Sequence, residues 1–389
     1  MENKERALAH VEKIEWIRPI EGADNIELIG VLGWVCIAKK GEFNVGDMAV
    51  YIEIDSKCPE TDERFAFLAN KKFKVKTMKL GKFKVISQGL ALPLTLFPEL
   101  QDKNIGDDVT EVLKIAYASE EGAARKSKKV DPNAKYKSMA KRRPKLFANP
   151  IIRRIMRYSI GRKIMFLLFG RKKDNPKKFP DWIVKTDETR IENAPFYLQS
   201  TEKWIKTEKC DGTSCTFAVD RLKKGKNKFD FIVCSRNVRQ ADREQACYHE
   251  SNIYWELADK YDIEKILTQF ATEKNYNRVV LQGEGVGSVQ GNPYKLTENK
   301  LFVFNLIIDG TRLGTVEMAD FCKSHGLTSV PIIDTAYELP KTMEEMKLEA
   351  DGYSELNPKV KREGFVYRSI DGQKSFKNVS REYLLKHNG

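Results

Sequence analysis

Thr207-Glu208-Lys209-Cys210-Asp211-Gly212-Thr213-Ser214 is the stretch that decides the fold of this chain. Lys-x-Asp-Gly occurs once in the sequence. Alone it reads as a hairpin turn, with Asp-Gly at the bend and Lys209 in solvent. Its surroundings add a series of strings at strand ends: Ser235-Arg236-Asn237, Gln282-Gly283-Glu284-Gly285, Phe302-Val303-Phe304-Asn305, Glu363-Gly364-Phe365-Val366 and Ser375-Phe376-Lys377. Each has a bland account. Phe302 and Phe304 could be one face of a buried strand, Glu284 and Glu363 solvated carboxylates, and Lys377 an exposed cation.

Taken in order, the strings resemble the motifs of the covalent nucleotidyltransferases: the ATP-dependent polynucleotide ligases and, more distantly, the capping guanylyltransferases. The resemblance implies that Lys209 attacks the α-phosphorus of ATP and becomes lysyl-AMP, with Asp211 and Lys377 also catalytic. It places Glu208, Arg236, Phe304, Glu284, Glu363 and Lys377 around the nucleotide. Phe304 would stack on the purine, Arg236 lie against the ribose and acceptor end, and Lys377 meet the α-phosphate. Strand alternation puts Ser375 and Lys377 on one face and Lys374 on the other. Asp211, Glu284 and Glu363 suit Mg²⁺ or Mn²⁺ held largely through water. A lysine attacks only when neutral, and its ordinary pKa is about 10.4. Lys377, Arg236 and the metal are therefore expected to depress the pKa of Lys209.

Rival phosphate motifs fail. Gly283-Glu284-Gly285-Val286-Gly287 brings its third glycine one residue too early for a kinase loop, and HRD, DFG and GxxxxGK[ST] strings are missing. Ser288 occupies the third-glycine position of a Rossmann fingerprint.

Around this centre, strand-like runs (CTFAV, FDFIVCSR, RVVLQGEGVG, KLFVFNLII, GFVYRSI) alternate with a helical one, Asn252 to Lys274. An α+β nucleotidyltransferase domain, ATP-grasp-like and built of antiparallel sheets and helices, is expected over residues 174–389. Nearer the amino end, HVEKIEWI, IELIGVLGWVCIA, DMAVYIEI and KFKVISQGLALPL read as about five strands, enough for a small barrel over residues 1–118. Periodicity alone leaves OB and SH3-like barrels open. Only twelve residues follow Lys377, too few for the carboxy-terminal barrel of most DNA ligases and capping enzymes. Barrel first and catalytic domain second resembles instead an RNA ligase group with an amino-terminal OB-fold. So does Lys185-Thr186-Asp187-Glu188-Thr189-Arg190-Ile191-Glu192-Asn193. By that resemblance Arg190 approaches the nucleotide phosphates; the alternative is an ion pair with Asp187 or Glu188 on a helix.

Between the two lies a basic block. The chain has 68 Lys+Arg against 55 Asp+Glu, yet residues 119–173 alone carry a net +15 and the remainder −2. Single-sign blocks of this length neutralise phosphates more often than they solvate a surface. The first half, 119–145, cannot bury a core and is expected to be a linker. In the second half PIIRRIMRYSIGRKIMFLLFGRKK has near-helical apolar spacing, and its apolar face is expected to pack on the following domain rather than on a membrane.

Seven cysteines, an odd number without a CxxC pair, argue against a zinc site or disulfide framework and for an intracellular, cytoplasmic setting. The amino terminus is not a secretory signal. The expected protein is an ATP-dependent RNA ligase sealing 3′-OH/5′-phosphate breaks, with RNA or an RNA-containing nicked duplex as partner and neither a membrane nor an obligatory protein partner. Its alternatives are a DNA ligase, a GTP-using capping enzyme, or a non-catalytic nucleic-acid-binding protein.

Overall fold

The computed structural model describes residues 6–118, 144–169, 177–223, 228–240 and 252–387. The linker half of the basic block, 119–143, lies outside the described residues.

The barrel is organised by one long strand. β1 (Ala9–Pro19) pairs along Ala9–Lys13 with β4 (Met48–Ile52) and along Ile14–Pro19 with β2 (Ile26–Val31). The register breaks between Ile14 and Trp16. Such a break bends a strand and raises its twist, so one strand can serve two halves of a curled sheet. With β3 (Trp34–Lys39) and β5 (Leu90–Pro93) the order is β3-β2-β1-β4-β5. Ala9 and Val11 join one apolar cluster around Val50, Phe65 and Phe97, and Ile14 a second around Ile29, Trp34 and Tyr51.

The opposite face of the first half of β1 carries His10 and Glu12, both buried. His10 Nδ1 lies 2.8 Å from Glu12 and its Nε2 3.5 Å from Glu53, to which Arg6 Nε donates at 2.7 Å. Burial opposes charge on His10, but the hydrogen bonds to Glu12 and Glu53 outweigh it and raise its pKa to about 9. A folded pKa above the ordinary 6.5 contributes stability that is complete below pH 6.5 and lost as pH climbs through 9. Urea unfolding of wild type and His10→Gln at pH 6 and pH 9.5 checks this. The stability difference between them is expected to shrink by about 3 kcal/mol at the higher pH; an unchanged difference would mean that folding does not shift the His10 pKa.

Two helices follow, α1 (Pro150–Arg157) and α2 (Ser159–Phe169). The expectation that their apolar face packs on the catalytic domain is corrected here: Ile151, Ile160, Ile164, Leu167 and Leu168 are all exposed. Only Phe147 and Met165 are buried in the cluster that joins the two helices. No described helix is long and apolar enough to cross a membrane.

The catalytic domain holds two sheets. The larger has as its central strands β8 (Phe229–Cys234), β7 (Thr213–Arg221), β9 (Arg278–Val286) and β10 (Lys300–Ile308), in that order and antiparallel. The smaller runs β11 (Ile332–Tyr337), β6 (Trp204–Glu208), β12 (Gly364–Ser369), β13 (Ser375–Val379). Helices α3 (Ile253–Lys260), α4 (Ile263–Glu273) and α5 (Thr315–Ser324) cover one face of the larger sheet. The single helix expected over Asn252 to Lys274 is two, because Asp262 adopts a left-handed conformation (φ 49°) that an α-helix cannot contain.

Phe304 forms a bulge in β10. Gln282 faces Asn305 and Gly283 faces Val303, so Phe304 has no partner across the ladder. Side-chain parity switches there: Leu301 and Val303 enter the helix-covered core before the bulge, and Leu306 after it.

The domains meet tightly. Val379 and Leu384, the latter on α7 (Arg381–His387), pack into the barrel cluster of Ile14 and Trp34. Gly33 N–H donates to Glu192 O at 2.8 Å, and a Cβ on Gly33 would lie 2.8 Å from the Glu192 Cα, so no other residue fits there unshifted. Lys347, on α6 (Met343–Ala350), donates to Glu192 at 2.6 Å and to the Val379 carbonyl at 2.7 Å.

Candidate active site

Lys209 lies on the seam between the two sheets. β6 of the smaller sheet ends at Glu208 and β7 of the larger begins at Thr213, so Lys209 to Gly212 cross from one to the other. Gly212 is the tight point, since a Cβ there would meet the Gly285 carbonyl oxygen at 2.4 Å. The Lys209 amide donates to Gly364 O at 3.0 Å. That bond sets Glu363 alongside, and Lys209 Nζ pairs with Glu363 Oε1 at 2.6 Å. β9 places Glu284 opposite Ser214. The Asp211 amide donates to the Tyr294 hydroxyl at 2.7 Å, and Tyr383 of α7 hydrogen-bonds its carboxylate.

The electrostatics differ from the sequence expectation. Burial disfavours the Lys209 ammonium, but Glu363, Glu284 and Asp211 outweigh burial and raise its pKa. The cations expected to depress it are turned elsewhere: Lys377 Nζ lies 2.7 Å and Arg236 Nη2 3.1 Å from Asp187. Despite burial, these two cations hold Asp187 below the usual carboxylate range. Within the site it is Lys377 that is depressed. Burial, with Arg190, Arg6 and Lys209 nearby, brings it to about 8 against the pull of Asp187. Burial also pushes Glu284 up to about 8; Lys209 opposes this, and Glu363 and Asp211 reinforce it. Burial raises Glu363 likewise.

Beside this charged cluster stands an apolar wall. Phe304, raised by the bulge, packs partly buried with Phe302, Tyr294, Val286 and Cys210. Glu208 is buried, accepts from the Glu355 amide at 2.8 Å, and is raised chiefly by burial. On β13, Ser375 and Lys377 reach Glu188 and Asp187, while exposed Lys374 pairs with Glu202 at 2.7 Å.

Arg190 is on neither of its expected partners Asp187 and Glu188, nor on a helix. Its backbone bridges to Lys377, and its Nη2 reaches 3.0 Å to Asp55 of the barrel. Asp187, Glu188, Tyr294, Tyr383 and Asp55 are the site residues that sequence reasoning left without a role. Asp187 and Glu188 stood in the Lys185–Asn193 string and could have been singled out there; nothing local marks the others.

Asp211, Glu284 and Glu363 converge near Lys209, and their mutual repulsion suits a divalent cation. Among the described residues no three His, Cys, Asp or Glu side chains are placed to hold a metal directly.

Comparison with known proteins agrees with this architecture. A family model for an OB-fold domain matches residues 8–94, and one for RNA ligase matches residues 202–384. No curated protein matches the sequence. Among solved structures, Naegleria gruberi RNA ligase with PPi is 31% identical, with 98% of this chain and 99% of that one covered and a TM-score of 0.75. A mutant of the same ligase with ATP and Mn is 31% identical, with 99% and 100% covered and a TM-score of 0.74. Another, with AMP and Mn, is 30% identical, with 98% and 99% covered and a TM-score of 0.75. Barrel and two-sheet domain together have the architecture of an RNA ligase with its OB-fold at the amino end. The chain belongs to the RNA ligase family.

Proposed function

We propose that the protein is an ATP-dependent RNA ligase that seals 3′-OH/5′-phosphate breaks, foremost nicks in a duplex, through lysyl-AMP. The observation that carries this is Lys209, held by Glu363 on the seam between the sheets, with Lys377 within its electrostatic reach and the Phe304 wall packed on the adjacent Cys210. Relatives with ATP or AMP and Mn support the choice of nucleotide and of a divalent metal.

Lys209 rests as an ammonium and must lose a proton before it can attack. Glu363, in contact with it and itself raised by burial, is placed to take that proton. Lys209 Nζ then bonds to the α-phosphorus as the α–β anhydride breaks and pyrophosphate leaves. Asp211, Glu284 and Glu363 would hold a divalent ion through water, and when bound it would supply charge neutralisation at the phosphates. Lys377 and Arg236, gathered by Asp187, add positive charge for the α-phosphate and the acceptor end. Phe304 supplies a face for the purine and Glu208 a buried acceptor. AMP next passes to the 5′-phosphate, freeing Lys209, and the 3′-OH displaces AMP to join the strands.

With ATP labelled on the α-phosphate and Mn²⁺, the protein is expected to become labelled and to pass the label to a nicked duplex. Sealing is expected to require ribose at the 3′-OH end of the nick. Indifference to that sugar would make it a DNA ligase, and labelling by GTP alone a capping enzyme.

A further inference from the structure

Helices α1 and α2 each have two apolar stripes, and only one of the two is covered. The inner one is Ile152 and Met156 of α1 with Met165 of α2, closed over Phe147. Gly161 permits the tight crossing: a Cβ there would meet the Ile155 carbonyl oxygen at 2.1 Å. The outer stripe is Ile151 and Ile155 on α1, then Ile160, Ile164, Leu167 and Leu168 on α2. Within each helix these residues follow helical spacing. Its residues are exposed with the catalytic domain in place, Leu167 by 84% and Ile160 by 70%.

Charge surrounds this stripe with one sign. Residues 144–169 contain no acidic side chain, and Arg153, Arg154, Arg157 and Lys163 are exposed. Bare aliphatic side chains neither stack on bases nor bind phosphates, so an RNA surface accounts for the cations but not for the leucines. Helices bearing exposed aliphatic residues, with cations and no acidic residue on the same segment, match the boundary of an anionic bilayer, where acyl chains meet phosphate headgroups. We infer that α1 and α2 form a docking surface for an anionic lipid bilayer, lying in its plane. Both helices are far too short to span it.

Flotation of the full chain with vesicles tests this. Wild type is expected to float with vesicles of equal parts phosphatidylserine and phosphatidylcholine, and not with phosphatidylcholine alone. Leu167→Ser with Leu168→Ser is expected to lower partitioning at least about tenfold. Replacing Arg153, Arg154 and Arg157 with Gln is expected to lower it about fivefold per charge, an effect that added salt removes. Self-adenylylation should be unchanged in both variants, which shows that they fold. Wild type that does not float overturns the inference. So does leucine-variant binding equal to wild type, a leucine variant that loses nicked-duplex RNA instead of vesicles, or a wild-type dimer that the leucine changes split.

Discussion

Lys209→Ala is expected to reduce AMP transfer onto the protein at least about 10⁴-fold, to background. Loss on this scale follows because neighbouring lysines cannot replace it. Lys377 is committed to Asp187, and Lys206 is buried against Glu349 and boxed by the rings of Tyr337 and Phe365. A strand already carrying a 5′-adenylyl end needs no lysine nucleophile. Its sealing by Lys209→Ala is expected to stay within about tenfold of wild type. Label persisting on the variant would point to a different nucleophile. Loss of both reactions would mean that Lys209 supports the fold or the last step rather than the first.

Lys347→Ala is expected to produce the largest loss of stability, about 3 to 5 kcal/mol. Lys347 and Glu192 are 1% and 0% exposed, and Glu192 keeps one carboxylate oxygen without a partner even in the intact pair. Removing the lysine strands a carboxylate among α6, β13 and the barrel, where water does not reach it. Exchanging both partners, Lys347→Met with Glu192→Gln, removes the charge as well as the pair and is expected to cost less than about 2 kcal/mol. Urea unfolding of the single and double variants reads the contrast. Equal losses would mean that the volume at this junction matters and the charge does not.

The sequence made the barrel legible because its strands are runs of Val, Ile and aromatics broken by turn residues, and the site legible because its residues fall in short strings within or beside strands, Lys209, Asp211 and Glu363 flanking them and Phe304 and Lys377 inside them. What it hid depends on partners far along the chain. Arg190 meets Asp55 across 135 positions and Lys377 meets Asp187 across 190; a carboxylate in such a pair has the same local sequence as a solvated one. The raised pKa of Lys209 in the protein without its metal has this cause, since Asp187 withdraws the two cations and leaves Lys209 facing three carboxylates. Helical spacing showed that the segment after Asn149 is amphipathic. Spacing cannot show what covers an apolar face, and the catalytic domain does not cover this one. The break at Asp262 escaped because it rests on one residue's backbone conformation.

The bulge in β10 has a consequence for how this family can change. Phe304 is an extra residue between Val303 and Asn305, whose partners Gly283 and Gln282 are adjacent. Losing that single codon would leave a regular ladder, with Leu301, Val303 and Leu306 still directed into the same core. The ring proposed to face the purine can thus be gained or lost in one genetic step that keeps these core residues in register. Descendants of this scaffold could lose the proposed purine platform while keeping the core of the larger sheet.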